Sequence, residues 1–128
     1  MGTFIEEKSN LFAGLNKTST TLVETGLSII PHIVVIENII VFNLTNQSIR
    51  INLQKIRTSD SNLTMNYTKY LEVKGYQTVD LLNKLELDGI KLYYQSSPEL
   101  KDKLVCFSDT TTQTFDCEVN YNLLNETS

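Results

Sequence analysis

The chain has 128 residues, 15 Asp+Glu against 11 Lys+Arg and a formal net charge of −4, which is the size of one ordinary domain. With 41% hydrophobic and 20% charged residues, five Gly and two Pro, it is neither a disordered acidic tail nor a collagen-like or linker chain. The acidic balance argues against a nucleic-acid partner, which needs clustered Lys and Arg to replace counterions on phosphate.

The first residues, Met1-Gly2-Thr3-Phe4-Ile5-Glu6-Glu7-Lys8, place two acids where a secretory signal needs an apolar run. Glu6 also stands where a myristoylation motif needs Ser or Thr. Residues 1–18 carry no strand alternation and read as an amino-terminal arm, with Phe4, Ile5, Leu11 and Phe12 as apolar anchors for a neighbouring subunit. Residues 27–44 form the most apolar window, but Pro31, His32, Glu37, Asn38 and Asn43 interrupt it, so no membrane-spanning helix is expected.

From residue 33 the pattern is that of strands, whose successive side chains point to opposite faces. Ile33, Val34, Val35 and Ile36, then Ile39, Ile40, Val41 and Phe42, are apolar on both parities. That predicts a long strand with a bulge near Glu37-Asn38, where the inward face swaps. Residues 43–48 read as a hairpin connection into the alternating Ile49-Arg50-Ile51-Asn52-Leu53-Gln54, and Ile56 breaks parity as a second bulge or a strand end would. After the polar loop 59–62, Met65, Tyr67, Leu71 and Val73 share one parity broken by Lys69, and Val79 and Leu81 continue the pattern beyond Lys74-Gly75. Asp88-Gly89 is a turn, Ile90, Leu92 and Tyr94 alternate, and residues 96–102 read as a loop with room for one helical turn. Residues 108–112 close a last hairpin into Phe115-Asp116-Cys117-Glu118-Val119-Asn120-Tyr121, while the last six residues read as a tail. The expected fold is all-β: an antiparallel sandwich of jelly-roll or immunoglobulin-like type, with about eight or nine strands. It occupies residues 19–122, between the arm 1–18 and the tail 123–128.

A final hairpin centred on Thr111 and Thr112 would set Cys106 opposite Cys117, within reach of a cross-strand disulfide. The other reading is a pair of buried thiols, which the missing secretion signal favours. Six Asn-x-Ser/Thr sequons, at Asn16, Asn43, Asn46, Asn62, Asn66 and Asn125, would mark a glycosylated surface protein, yet without a signal glycosylation is not expected. With His32 the one histidine and no second Cys pair, zinc has no ligand set. As a base, His32 would have only Ser28 as a nearby hydroxyl; its simpler role is a partly exposed strand-end residue. Neither Glu86 with Asp88 nor Glu6 with Glu7 forms a pair placed across a pocket, and no phosphate-binding loop occurs. No catalytic residue, cofactor site or metal site is assigned, and an enzyme is not expected.

Two stretches resemble small β-sandwich virion proteins of tailed bacteriophages. In Ile36-Glu37-Asn38-Ile39-Ile40-Val41-Phe42-Asn43 a strand runs into an Asn/Thr/Ser turn and the alternating strand ending at Leu53. The second stretch runs from Tyr76 to Leu92 and carries Asp88-Gly89 in place of their Gly-Asp. The resemblance spans roughly residues 20–121, as an antiparallel sandwich would. It implies a non-enzymatic subunit of the head (a decoration protein), the head–tail connector or neck, or the tail. Such a subunit would be made in the host cytoplasm and oligomeric in the virion, where it would contact capsid, portal or tail proteins. The alternatives on the same architecture are a carbohydrate-binding or adhesin module using exposed tyrosines such as Tyr93 and Tyr94, and a surface immunoglobulin-like domain using the sequons.

Overall fold

The computed structural model describes residues 2–26, 31–59 and 61–127, with the side chains of 2–4 and 125–127 left aside. Its elements in chain order are β1 (Gly2–Leu15), β2 (Thr20–Glu24), β3 (His32–Phe42), β4 (Ile49–Thr58), β5 (Leu63–Val73), β6 (Thr78–Asp80), the one-turn helix α1 (Leu81–Lys84), β7 (Ile90–Ser96), β8 (Glu99–Ser108) and β9 (Phe115–Thr127). All the strand pairings are antiparallel. The nine strands make an open, jelly-roll-like sandwich. One layer holds β1, β9 and β3, with β6 and the start of β7 on the far side of β3; the other holds β5, β4, β8 and β2. β7 joins the layers: Ile90–Tyr94 pair with β3, and Tyr94–Ser96 pair with β8.

The alternation finds its cause in burial. Ile49, Ile51 and Leu53 from one layer and Phe115, Cys117 and Val119 from the other are almost fully buried between the sheets, each worth about 1.5–3 kcal/mol in removed apolar surface for a large side chain. The bulge in β3 is where the parity swap places it. His32, Val34 and Ile36 point inward, the register against β9 shifts between Ile36 and Asn38, and Ile39 and Val41 then take over the inward face. The break at Lys69 matches two register shifts between β4 and β5 around Leu53, and Tyr70 sits there at φ 60 with its N–H donated to Asn52 Oδ1 at 3.0 Å. β4 itself runs on past Ile56 to Thr58.

Several local expectations are corrected. Residues 1–18 are not free of strand: Gly2–Leu15 pair with β9 as far as Thr127, which brings residues 123–127 of the expected tail 123–128 into the sheet. An edge strand with both faces largely in water needs no apolar alternation, because its ladder hydrogen bonds hold it. The turns expected at 43–48 and 108–112 are not hairpins, since each carries the chain from one layer to the other. Residues 96–102 form the tight β7–β8 hairpin around a cis Ser97–Pro98 bond, not a loop with a helical turn. The helical turn comes instead at α1, opened by Asp80, whose Oδ1 accepts from Leu82 N–H at 3.1 Å, and closed over buried Leu81 and Leu82.

Cys106 and Cys117 are free and buried, on strands that face each other across the sandwich, so the cross-strand pairing does not exist. Burial pushes both thiols up, with the neighbouring Cys117 adding to Cys106; Cys117, also beside Glu118, is pushed up to about 12. This sets a pH dependence. The unfolded thiol ionises near 9 while folded Cys117 keeps its proton, so the stability it contributes is complete below pH 9 and falls as pH rises towards 12. The loss amounts to at most about 4 kcal/mol. Urea unfolding followed from about pH 8 to pH 10 should show this slope; Cys117→Val should reduce it, and the remainder should go when Cys106 is replaced by Val as well.

Candidate assembly surface

The sandwich is open between two of its edge strands, β1 and β2. A cleft of about 470 Å³ lies there, lined by Asn10, Phe12, Leu22, Val23 and Tyr121 among others. Asn10 spans it, its Nδ2 donating to Leu22 C=O at 3.1 Å and reaching Tyr121 Oη at 3.4 Å. Pairing with β9 sorts the side chains of β1 by parity. Asn10 and Phe12 sit opposite Val119 and Cys117 and turn inward, and Phe12 packs on the core. Ile5 and Leu11 sit opposite Leu124 and Glu118 and turn outward, 61% and 76% exposed.

The outward residues continue across the sheet. Ile5, Leu124, Ile33 and Tyr93 are cross-strand neighbours in one row over β1, β9, β3 and β7. Ile40 and Phe42 lie further along β3 on the same face, only half-buried. This explains why β3 is apolar on both parities: its outward side chains share a broad apolar face. Polar groups divide that face, with Glu37 accepting from Asn122 and Asn38 accepting from Asn120 at 2.6 Å.

Of the four proposed anchors, then, Ile5 and Leu11 are displayed, Phe12 belongs to the chain's own core, and the Phe4 side chain lies outside the described ones. Tyr93 and Tyr94 do not form a sugar platform. As neighbours on β7 they point to opposite faces, and Tyr94 is buried against His32 with ring centroids 5.1 Å apart. His32 is buried, not partly exposed, and its Nε2 accepts from Gly26 N–H at 3.2 Å; Ser28 lies outside the described residues. Among the described residues no group of three or more His, Cys, Asp or Glu is placed to hold a metal ion, and no helix is long and apolar enough to cross a membrane.

Sequence reasoning missed a buried charged cluster at the β7–β8 corner. The Asp102 carboxylate, fully buried, accepts from Arg57 Nε at 2.8 Å and Nη2 at 3.0 Å, and from Tyr93 N–H at 2.8 Å. The Arg57 guanidinium, held by that bond, has its pKa raised, and it lies 5.8 Å from the Tyr93 ring centroid. Thr25 Oγ1 donates to Tyr93 C=O at 2.9 Å and accepts from Asp102 N–H at 2.9 Å. The cluster thus ties β4, β7 and β8 to the end of β2 where the layers join. Arg57 and Asp102 are far apart in the chain, so only their pairing across β4 and β8 reveals them.

No family model matches the chain, and no curated protein matches it. Solved structures do. The chain is similar to a chain of infectious bursal virus derived T=1 particles, with a TM-score of 0.58 at 7% identity over 97% of this chain and 32% of that one. It is similar to a chain of the T13 infectious bursal disease virus particle, with 0.58 at 8% identity over 97% and 31%. It is also similar to the infectious bursal disease virus VP2 subviral particle, with 0.54 at 8% identity over 97% and 33%. At such identity the likeness is one of fold, and the chain spans about a third of the length of these viral chains. The resemblance to tailed-bacteriophage virion proteins is corrected by these matches, and with it the head–tail connector, neck and tail assignments. The strand–turn–strand patterns behind it belong to any antiparallel sandwich, because they record inward and outward positions and little else.

Proposed function

We propose that the chain is a non-enzymatic structural domain of a virus particle, contributing surfaces to contacts between subunits. The observation that supports this most is the fold shared with particle-forming viral chains over 95–97% of its length. The displayed Ile5 and Leu11, and the half-buried apolar outer face of β3, fit a domain whose neighbours complete it. Its partners in this reading are other virion proteins and further copies of itself. It is made in the cytoplasm of the host cell, functions in the virion, and calls for no cofactor, membrane or nucleic-acid contact. The contact segment is the amino-terminal strand, not a free arm.

The test is sedimentation of particles from cells that express the chain. It should band with nuclease-resistant particles at a fixed ratio to the other particle proteins and survive high-salt washing. Recovery only in the slow-sedimenting, particle-free fractions refutes the reading.

A further inference from the structure

We infer that β1 is a self-pairing edge: two copies of this chain join β1 to β1 antiparallel about a two-fold axis, extending the β1–β9–β3 layer across both. The inference deepens the assembly reading and rests on it for its setting, but it is tested separately.

Sheet edges expose N–H and C=O groups that another strand can pair, and proteins usually block them with bulges, short strands, Pro or charged side chains. The other edges of this sandwich are blocked in these ways. β2 has five residues and a register shift, β6 has three, and β5 is broken by two shifts and by Tyr70 at φ 60. β1 differs. It has 14 residues and no Pro, its one register shift comes only after Phe12, and its charged residues Glu6, Glu7 and Lys8 are of both signs, with Lys8 paired to Glu6; its register against β9 is unbroken over the eleven pairs from Gly2 to Phe12. Among the described residues, its other side pairs with no strand.

The side chains select the partner and the register. A two-fold axis perpendicular to the sheet keeps outward residues on one face, so odd-numbered residues must oppose odd-numbered ones. One such register places Ile5 opposite Leu11 of the second copy, and Leu11 opposite its Ile5, bringing together the exposed large apolar side chains that the strand shows among its described residues. The same register puts Glu7 opposite Ser9 and Glu6 opposite Asn10, so no acids face each other. Lys8 meets its own symmetry mate, with its charge held 3.5 Å from Glu6 Oε1 in the same strand. Shifting the pairing by two residues one way opposes Glu7 to Glu7 and leaves Ile5 against Ser9. Shifting it the other way leaves Leu11 against Glu7. Because the strand's own Ile5 and Leu11 complement each other in this register, the occupant assigned is a second copy.

The experiment is analytical ultracentrifugation of the full chain, with cysteine cross-linking under mild oxidation. Wild type should show a concentration-dependent dimer. Leu11→Asp should weaken it on the order of tenfold with the thermal midpoint unchanged, since Leu11 is 76% exposed. Lys8→Cys should give a disulfide-linked dimer, and Ala13→Cys, ten residues from its mate in this register, should not. The native Cys106 and Cys117 are buried and do not compete. A monomer at every concentration, a dimer indifferent to Leu11→Asp, or cross-linking of Ala13→Cys as readily as Lys8→Cys would each overturn the inference. A dimer in this register from a chain that never enters particles would leave the inference standing and remove the assembly reading. Wild-type entry into particles without the dimer would do the reverse.

Discussion

Arg57→Met should lower the folding stability by about 3–5 kcal/mol, among the largest losses available to a single change in this chain. The reason is asymmetry of exposure. In the Arg57–Asp102 pair the arginine side chain is 29% exposed and the aspartate 0%. Removing the arginine therefore strands a buried carboxylate that, among the described residues, keeps only the Tyr93 N–H to satisfy it. Asp102→Asn should cost less, because an amide oxygen still accepts from Tyr93 and the freed guanidinium can turn to solvent. Replacing both residues together, Arg57→Met with Asp102→Leu, should recover much of the loss, as apolar replacements of buried pairs often do. Denaturant unfolding of the three variants is the measurement. An Arg57→Met loss under about 1 kcal/mol, typical of a surface pair, would show that the corner does not depend on the cluster. The site matters because β7 passes here from one layer to the other, so loosening it should weaken the junction of the two sheets.

Asn43→Ala should cost about 2–4 kcal/mol. Asn43 is 1% exposed, and its amide ties together two loops distant in sequence. Nδ2 reaches the carbonyls of Gln47 at 2.8 Å, Val73 at 3.2 Å and Lys74 at 3.1 Å, while Oδ1 accepts from Thr45 N–H at 3.1 Å and Thr45 Oγ1 at 2.7 Å. Beside it Tyr76 N–H donates to Thr45 C=O at 2.9 Å, and the loops approach so closely that a Cβ on Gly75 would stand 2.7 Å from the Asn46 backbone. Alanine leaves the buried Val73 carbonyl without its donor. Asn43→Asp should be worse than alanine, since a carboxylate would face three carbonyl oxygens. Urea midpoints ranked wild type, Ala, Asp would bear this out, whereas Asp as stable as wild type would contradict it. The same burial withdraws Asn43 from the six sequons, because a fully enclosed amide offers no room for a glycan.

The inward apolar positions of the alternating strands, the β-class and the bulge near Glu37-Asn38 were legible from residue order, because period-two alternation is a local property that burial on one face imposes strand by strand. Edge strands escape that logic. β1 keeps most of its side chains in water and is held by hydrogen bonds to β9 across the whole chain length, so nothing in residues 2–15 announces it. The candidate surface was half legible: Ile5 and Leu11 stand out as apolar residues in a polar stretch, but only pairing with β9 shows that they face outward while Phe12 faces in. Which layer each strand joins was not legible at all. Residues 43–48 and 108–112 look like hairpin turns, yet they cross between sheets, because an inward-facing residue carries the same pattern whichever sheet it lines. The sequence by itself determined which apolar residues of the alternating strands turn away from water. The tertiary structure alone decided which strand lies beside which, and so assembled the Arg57–Asp102 pair, the Asn43 clamp and the open edge of β1, since those depend on contacts between segments that no local period records.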